Sequence, residues 1–172
     1  MNTDTVLLDV QTTLTPAEHQ THRRYPFDVP PGCQKLAIEV RYAPKFLSTE
    51  ESIVLASQAV GAQARTLAER IGPAEAAQWT ADQGRPTTNM RIPNLLTISV
   101  DDAAGKLRGA GHRHAAEQTL FVGLAEASPG FVAGPLPDGI WWLTLSAHTV
   151  VSSHCEVSIV IQMGAESASS LS

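Results

Sequence analysis

Apolar and polar positions alternate with a period of two from Gly139 to Ala147. Trp141, Leu143, Leu145 and Ala147 fall on one side, and Ile140, Trp142, Thr144 and Ser146 on the other. Successive side chains of a strand point to opposite faces, so this is strand spacing, with the odd positions as the core face. Ahead of it, Gly134-Pro135 and Pro137-Asp138-Gly139 combine a fixed φ with a permitted positive φ. That punctuation suits a tight entry into a strand starting near Gly139 and suits neither a helix nor a central ladder.

The same period recurs along the chain. Val6, Leu8, Val10, Thr12 and Leu14 share a face of a first strand, read as an edge strand, which Thr15-Pro16 ends. A polar link carrying His19, His22, Arg23 and Arg24 leads to an extended segment, Tyr25 to Val29, closed by Pro30-Pro31-Gly32. Leu36, Ile38, Val40 and Tyr42 alternate with Lys35, Glu39 and Arg41, the pattern of a half-solvated strand. Leu96, Ile98 and Val100 predict another strand, followed by a turn over Asp101-Asp102-Ala103-Ala104-Gly105 and a polar loop. Leu120, Val122 and Leu124 then share a face, and Cys155, Val157, Ile159, Ile161 and Met163 form the last strand.

One stretch breaks the rule. Ile53, Ala56, Val60, Ala64, Leu67 and Ile71 recur at three- and four-residue steps, which is one face of a helix. Ser48 with Glu51 predicts a capping box at its start, and Gly72-Pro73 a stop. Pro73 opens a second helix of about two turns or fewer, through Trp79. Six or seven half-polar strands with one helical excursion predict a mainly β chain. The expected architecture is a two-sheet antiparallel β-sandwich, jelly-roll-like, with a helical insertion around residues 48–79. A parallel α/β sheet would need helices between most of its strands. The expected organisation is a single domain over residues 1–164, followed by a disordered tail, 165–172, with almost nothing to bury.

Composition adds mainly exclusions. A net charge of −5 provides no basic field for a phosphate backbone, so neither nucleic acid nor an anionic membrane surface is expected as a partner. Two cysteines, Cys33 and Cys155, are too few for a disulfide framework or a thiolate zinc site. The N-terminus lacks a basic region followed by an apolar run, so the expected location is cytoplasmic.

The segments FDVPPGCQKLAIEVRY, NLLTISVDDAAGKLRGAGHRH, SPGFVAGPLPDGIWWLTL and HCEVSIVI occur in that order. In order and style they resemble the β-sandwich domain that precedes the PHP domain in CehA/McbA-type metallohydrolases. The resemblance covers roughly Tyr25 to Tyr42 and Ile92 to Ile161. It implies an N-terminal accessory module, with the hydrolase chemistry belonging to a separate metal-binding PHP domain that has no counterpart in these residues. The helical segment from Ser48 to Trp79 interrupts what the family pattern joins more directly. The implied role is an accessory or interaction domain whose partner is a PHP-type hydrolase in trans or a second copy of itself.

Candidate chemistry is sparse. His112 and His114 form an HxH, the spacing that opens a PHP metal site, but no matching series of His and acidic motifs follows. Two imidazoles leave a zinc coordination sphere unfinished, and GAGHRHAAEQ reads as a loop between strands. His19 and His22 would complete a four-histidine divalent-metal set with His112 and His114 only if their loops met; otherwise no cofactor is expected. Cys33 sits beside a turn without an evident base and reads as a core thiol, while Asp101 and Asp102 read as turn carboxylates. Trp142 points outward and wants a cover: a sugar ring, a partner, or the apolar stripe of the helix. Trp142 and His148 are therefore the candidate ligand- or partner-binding residues, and no catalytic residue is assigned. Three functions stand in order: a non-catalytic interaction domain, a carbohydrate- or small-ligand-binding module, and a metal-dependent hydrolase using the histidines.

Overall fold

The computed structural model of the chain describes residues 5–83, 90–111 and 115–164. Its strands are β1 (Val6–Leu14), β2 (Thr21–Val29), β3 (Lys35–Ala43), β4 (Leu95–Asp101), β5 (Leu107–Ala110), β6 (Glu117–Gly123), β7 (Gly139–Thr149) and β8 (Cys155–Met163). They form two antiparallel four-stranded sheets, ordered β1-β8-β3-β6 and β2-β7-β4-β5. Strands adjacent in sequence mostly sit in opposite sheets, and this interleaved order is that of an eight-stranded jelly roll. The chain is a two-sheet β-sandwich, and β1 lies at a sheet edge.

Alternation places the core where the periodicity put it. Trp141, Leu143, Leu145 and Ala147 of β7 are buried, facing Leu36, Ile38, Val40 and Tyr42 of β3 and Val157, Ile159 and Ile161 of β8 across the sandwich. Each fully buried Leu, Ile or Val stabilises the sandwich by about 1.5–3 kcal/mol relative to leaving it exposed. β7 begins at Gly139, whose φ of 111° only glycine adopts without strain, and the Trp141 indole N–H donates to the Pro137 carbonyl at 2.7 Å. The turn thus holds the large core side chain as well as starting the strand.

Three local expectations are corrected. His22, Arg23 and Arg24 are strand residues of β2 rather than a polar link. Arg23 takes an inward position opposite Leu145, where Glu18 pairs with its guanidinium and Thr12 accepts from it at 2.6 Å. The polar loop after Gly105 contains a strand, β5, in which the inward position is an arginine, Arg108, and not an apolar residue. Leu124 lies beyond β6 and is exposed, so the shared face ends at Val122.

Residues 46–93 form a separate compact unit. Helix α1 (Thr49–Ile71) opens with the capping box: Ser48 Oγ accepts the Glu51 N–H at 3.2 Å and a Glu51 carboxylate oxygen accepts the Ser48 N–H at 2.9 Å. The Ser48 hydroxyl, donating to the same carboxylate at 2.7 Å, and the Ser48 N–H together hold the Glu51 carboxyl below its ordinary range. Helix α2 (Pro73–Asp82) runs ten residues, past Trp79 and longer than two turns. Its alanines, glutamate and glutamine are good helix formers, and nothing breaks them before Gln83. The unit's ends are tied together, since Leu47 N–H donates to the Ile92 carbonyl and Ile92 N–H to Ser52 Oγ, both at 3.0 Å. Among the described residues no helix is long and apolar enough to cross a membrane. The segment 165–172, expected as a tail, lies outside the described residues.

Candidate functional site: the outer face of the β2-β7-β4-β5 sheet

Because β7 buries its odd positions, its even positions line the outer surface of the sheet, with β2 on one side and β4 on the other. Register then fixes the neighbours: Trp142 lies between Pro26 and Asp101, Thr144 between Arg24 and Ser99, and Ser146 between His22 and Thr97. Trp142 is half-buried. The group over its ring is the Arg24 guanidinium, 4.6 Å from the centroid, reaching along the diagonal that long side chains span between antiparallel strands. Arg24 also lies 3.6 Å from the Asp101 carboxylate. A cation over an exposed indole stabilises by about 0.5–1 kcal/mol, so the stack orders this surface more than it stabilises the fold.

The rest of the face is tied strand to strand. His22 Nδ1 is 2.9 Å from Ser146 Oγ, and Thr97 Oγ1 is 2.7 Å from His148 Nε2. β5 ends at Ala110 while β4 and β7 continue, and beside its end lies an open groove of about 560 Å3. Thr97, Ser99, Ser146 and His148 line it with hydroxyl and imidazole groups, alongside Leu95 and Ala110.

The expected site residues therefore separate. Trp142 and His148 share this face, with Arg24, Asp101, Thr97 and Ser146 as companions that period alone did not single out. Their parity within each strand was visible, but the register that aligns the strands was not. His22 lies on the same face, whereas His19 is an exposed residue ending a short turn, Pro16–Glu18. His112 and His114 lie outside the described residues. Among the described residues, no three His, Cys, Asp or Glu side chains are grouped to hold a metal. Asp102 is a turn carboxylate, accepting the Ala104 and Lys106 N–H groups at 3.0 and 2.9 Å.

Cys33 and Cys155 are buried and unbonded to each other. Burial raises both thiols, Cys155 to about 11 despite the opposing charge of Lys45, so they persist as thiols rather than nucleophilic thiolates. Nearby, Lys45 Nζ donates to Tyr42 Oη at 2.7 Å, and burial pushes Tyr42 up to about 12 and Lys45 down. Raised folded values mean that Tyr42 and Cys155 contribute stability below their ordinary 10 and 9, lost as pH rises through 12 and 11. Lys45 acts oppositely, but only up to its ordinary 10.5. Stability is expected to fall most clearly between pH 10.5 and 12. In urea titrations at a series of pH values, Tyr42→Phe should flatten that fall by on the order of 2 kcal/mol, and an unchanged slope would show that Tyr42 is not its source.

Compared with family models and with curated proteins, the chain matches none. What fold and surface define is a class: a jelly-roll β-sandwich carrying an aromatic and polar outer sheet face and a helical excursion between β3 and β4.

Proposed function

We propose that the chain is a non-catalytic β-sandwich recognition domain that works through contacts made by the outer face of the β2-β7-β4-β5 sheet. The observation that carries this reading is the mutual pairing of the groups on that face: Arg24 with Trp142 and Asp101, His22 with Ser146, and Thr97 with His148. Side chains already held in place lose little freedom when a partner arrives, and Trp and Arg are the residues that most often dominate protein interfaces. The partner that the sequence resemblance favours is a PHP-type hydrolase acting in trans, or a second copy of the chain. Affinity capture from the source lysate should retain such a hydrolase on the wild-type chain and lose it, by roughly tenfold or more, on Trp142→Ala. Equal retention by both chains would remove the face from consideration, and light scattering across a dilution series would identify self-association.

A second reading, a glycan-binding module, is favoured by the groove beside the same face, because hydroxyl and imidazole groups match the donors and acceptors of a sugar. Saccharide-dependent quenching of tryptophan fluorescence that disappears in Trp142→Phe would select it over the protein partner.

A further inference from the structure

Gln118 is an amide on an apolar face. It alternates along β6 with Leu120 and Val122, opposite the inward Val40 of β3. Its Nε2 donates to the Ala115 carbonyl at 3.0 Å, which fixes the orientation of the amide. Its Oε1 is shut off from solvent, and among the described residues nothing donates to it. Gly111 covers that oxygen so closely that a Cβ added there would stand 3.2 Å from it, and the Gly111 N–H is committed to the Ile98 carbonyl at 2.8 Å. A buried acceptor without a donor costs about 1–3 kcal/mol.

Beside Gln118 is a cavity of about 280 Å3, bordered by Thr119, Leu120, Ser128 and Pro129. It runs along the outer side of β6, which is an edge strand. Part of that edge is already occupied by the chain itself. Ser128 N–H donates to the Phe121 carbonyl and Ser128 Oγ accepts the Phe121 N–H, both at 2.9 Å, and Ala127 bridges Val122 in antiparallel fashion. Pro129 and Gly130 then turn the segment away, with φ of 92° at Gly130 and the Phe131 N–H returning to the Ser128 carbonyl. Backbone groups of a strand face the same side at every second residue. Since Phe121 presents its N–H and C=O outward, Thr119 does so too, at the cavity and beyond the point where the chain's own segment stops.

We propose that this length of β6, whose outer side pairs with no described residue at Thr119, binds a short extended peptide, which continues the antiparallel pairing begun by Ala127 and Ser128. The ligand's main-chain amide exchanges bonds with the Thr119 N–H and C=O, and a further N–H meets Gln118 Oε1 once the side-chain amide releases the Ala115 carbonyl and turns from beneath Gly111 toward the cavity. Affinity comes from main-chain bonds at a sheet edge, so the ligand class is an uncharged extended backbone. This site is separate from the outer face described above and stands or falls without it.

The test is a titration of the isotope-labelled full chain with the capped tripeptide acetyl-Val-Thr-Val-amide, followed by NMR. Saturable shifts are expected at the Thr119 backbone amide and the Gln118 side-chain NH2, and should vanish when the peptide's central amide is N-methylated. Thr119→Pro removes the outward N–H at an edge position where proline is tolerated, so it should fold and lose the binding. Gln118→Met should raise the unfolding midpoint while weakening the peptide, a combination that a merely structural glutamine would not produce. Absence of saturable shifts, or shifts indifferent to N-methylation and to Thr119→Pro, would overturn the proposal and leave water as the occupant.

Discussion

Arg108→Met is expected to lower the unfolding free energy by about 3–5 kcal/mol, the cost of leaving one half of a buried ion pair without the other. Arg108 and Asp102 are almost fully enclosed, with side-chain exposures of 4 % and 6 %, and their charged atoms are 3.6 Å apart. The guanidinium also donates to the carbonyls of Pro135, Val132 and Gly134 at 2.9, 3.1 and 3.2 Å, and lies 5.3 Å from the centroid of Trp141. One side chain therefore fastens the loop that delivers β7 to the turn that follows β4. Removing it strands a carboxylate and three carbonyls, and methionine's volume compensates only for packing. Urea unfolding would measure the loss, and heat unfolding should show a drop of roughly 2–4 °C per kcal/mol for a chain of this size. Asp102→Asn in the same background keeps an acceptor for the Ala104 and Lys106 N–H groups while removing the stranded charge, so the double variant should recover part of the loss. A loss below about 1 kcal/mol in the single variant would mean that the pair is solvated.

Arg108 also shows where periodicity stops being informative. β3, β7 and β8 carry apolar residues at nearly every inward position, so alternation alone located them and their core faces. β5 has four residues, its inward position is an arginine, and its Gly109 leaves no room for a side chain, since a Cβ there would lie 2.3 Å from the Gly130 carbonyl oxygen. Nothing in such a stretch alternates. The start of β2 was hidden for the same reason, because its inward Arg23 is balanced by Glu18 and Thr12, which come from elsewhere in the chain.

The candidate surface was half legible on the same grounds. Parity along β7 put Trp142 outside, because its neighbour Trp141 had to be inside. That Arg24 would lie over Trp142, or that His148 would meet Thr97, depends on pairing between strands distant in the chain, the latter two residues being 51 positions apart. Local pattern carries no information about that register. The outward row of an antiparallel sheet is thus assembled from three strands whose order is set by the core on the other side. Buried apolar positions choose the register, and the polar face inherits it.

Asn94→Ala is expected to cost about 3 kcal/mol or more, since each buried polar group left without its partner costs roughly 1–3 kcal/mol. Asn94 is fully buried and closes the point where the chain leaves and re-enters the sandwich. Its N–H donates to the Lys45 carbonyl at 2.9 Å, which backbone alone provides and alanine keeps. Its side chain does the rest: Nδ2 donates to the Pro44 carbonyl and to Ser152 Oγ, both at 2.8 Å, while Oδ1 accepts the N–H groups of Val151 and Ser152 at 2.8 and 3.3 Å. A single amide so joins the end of β3, the start of β4 and the turn between β7 and β8. Asn94→Asp keeps the Oδ1 acceptor but replaces both N–H donations with a buried charge facing a carbonyl, and should be at least as damaging as alanine at neutral pH. Hydrogen exchange adds a local readout, because the Val151 amide should lose its protection in Asn94→Ala ahead of the β7 and β8 amides. If Val151 exchanged no faster than in the wild type while global stability fell, the loss would lie in the cavity left behind rather than in the bonds of the knot.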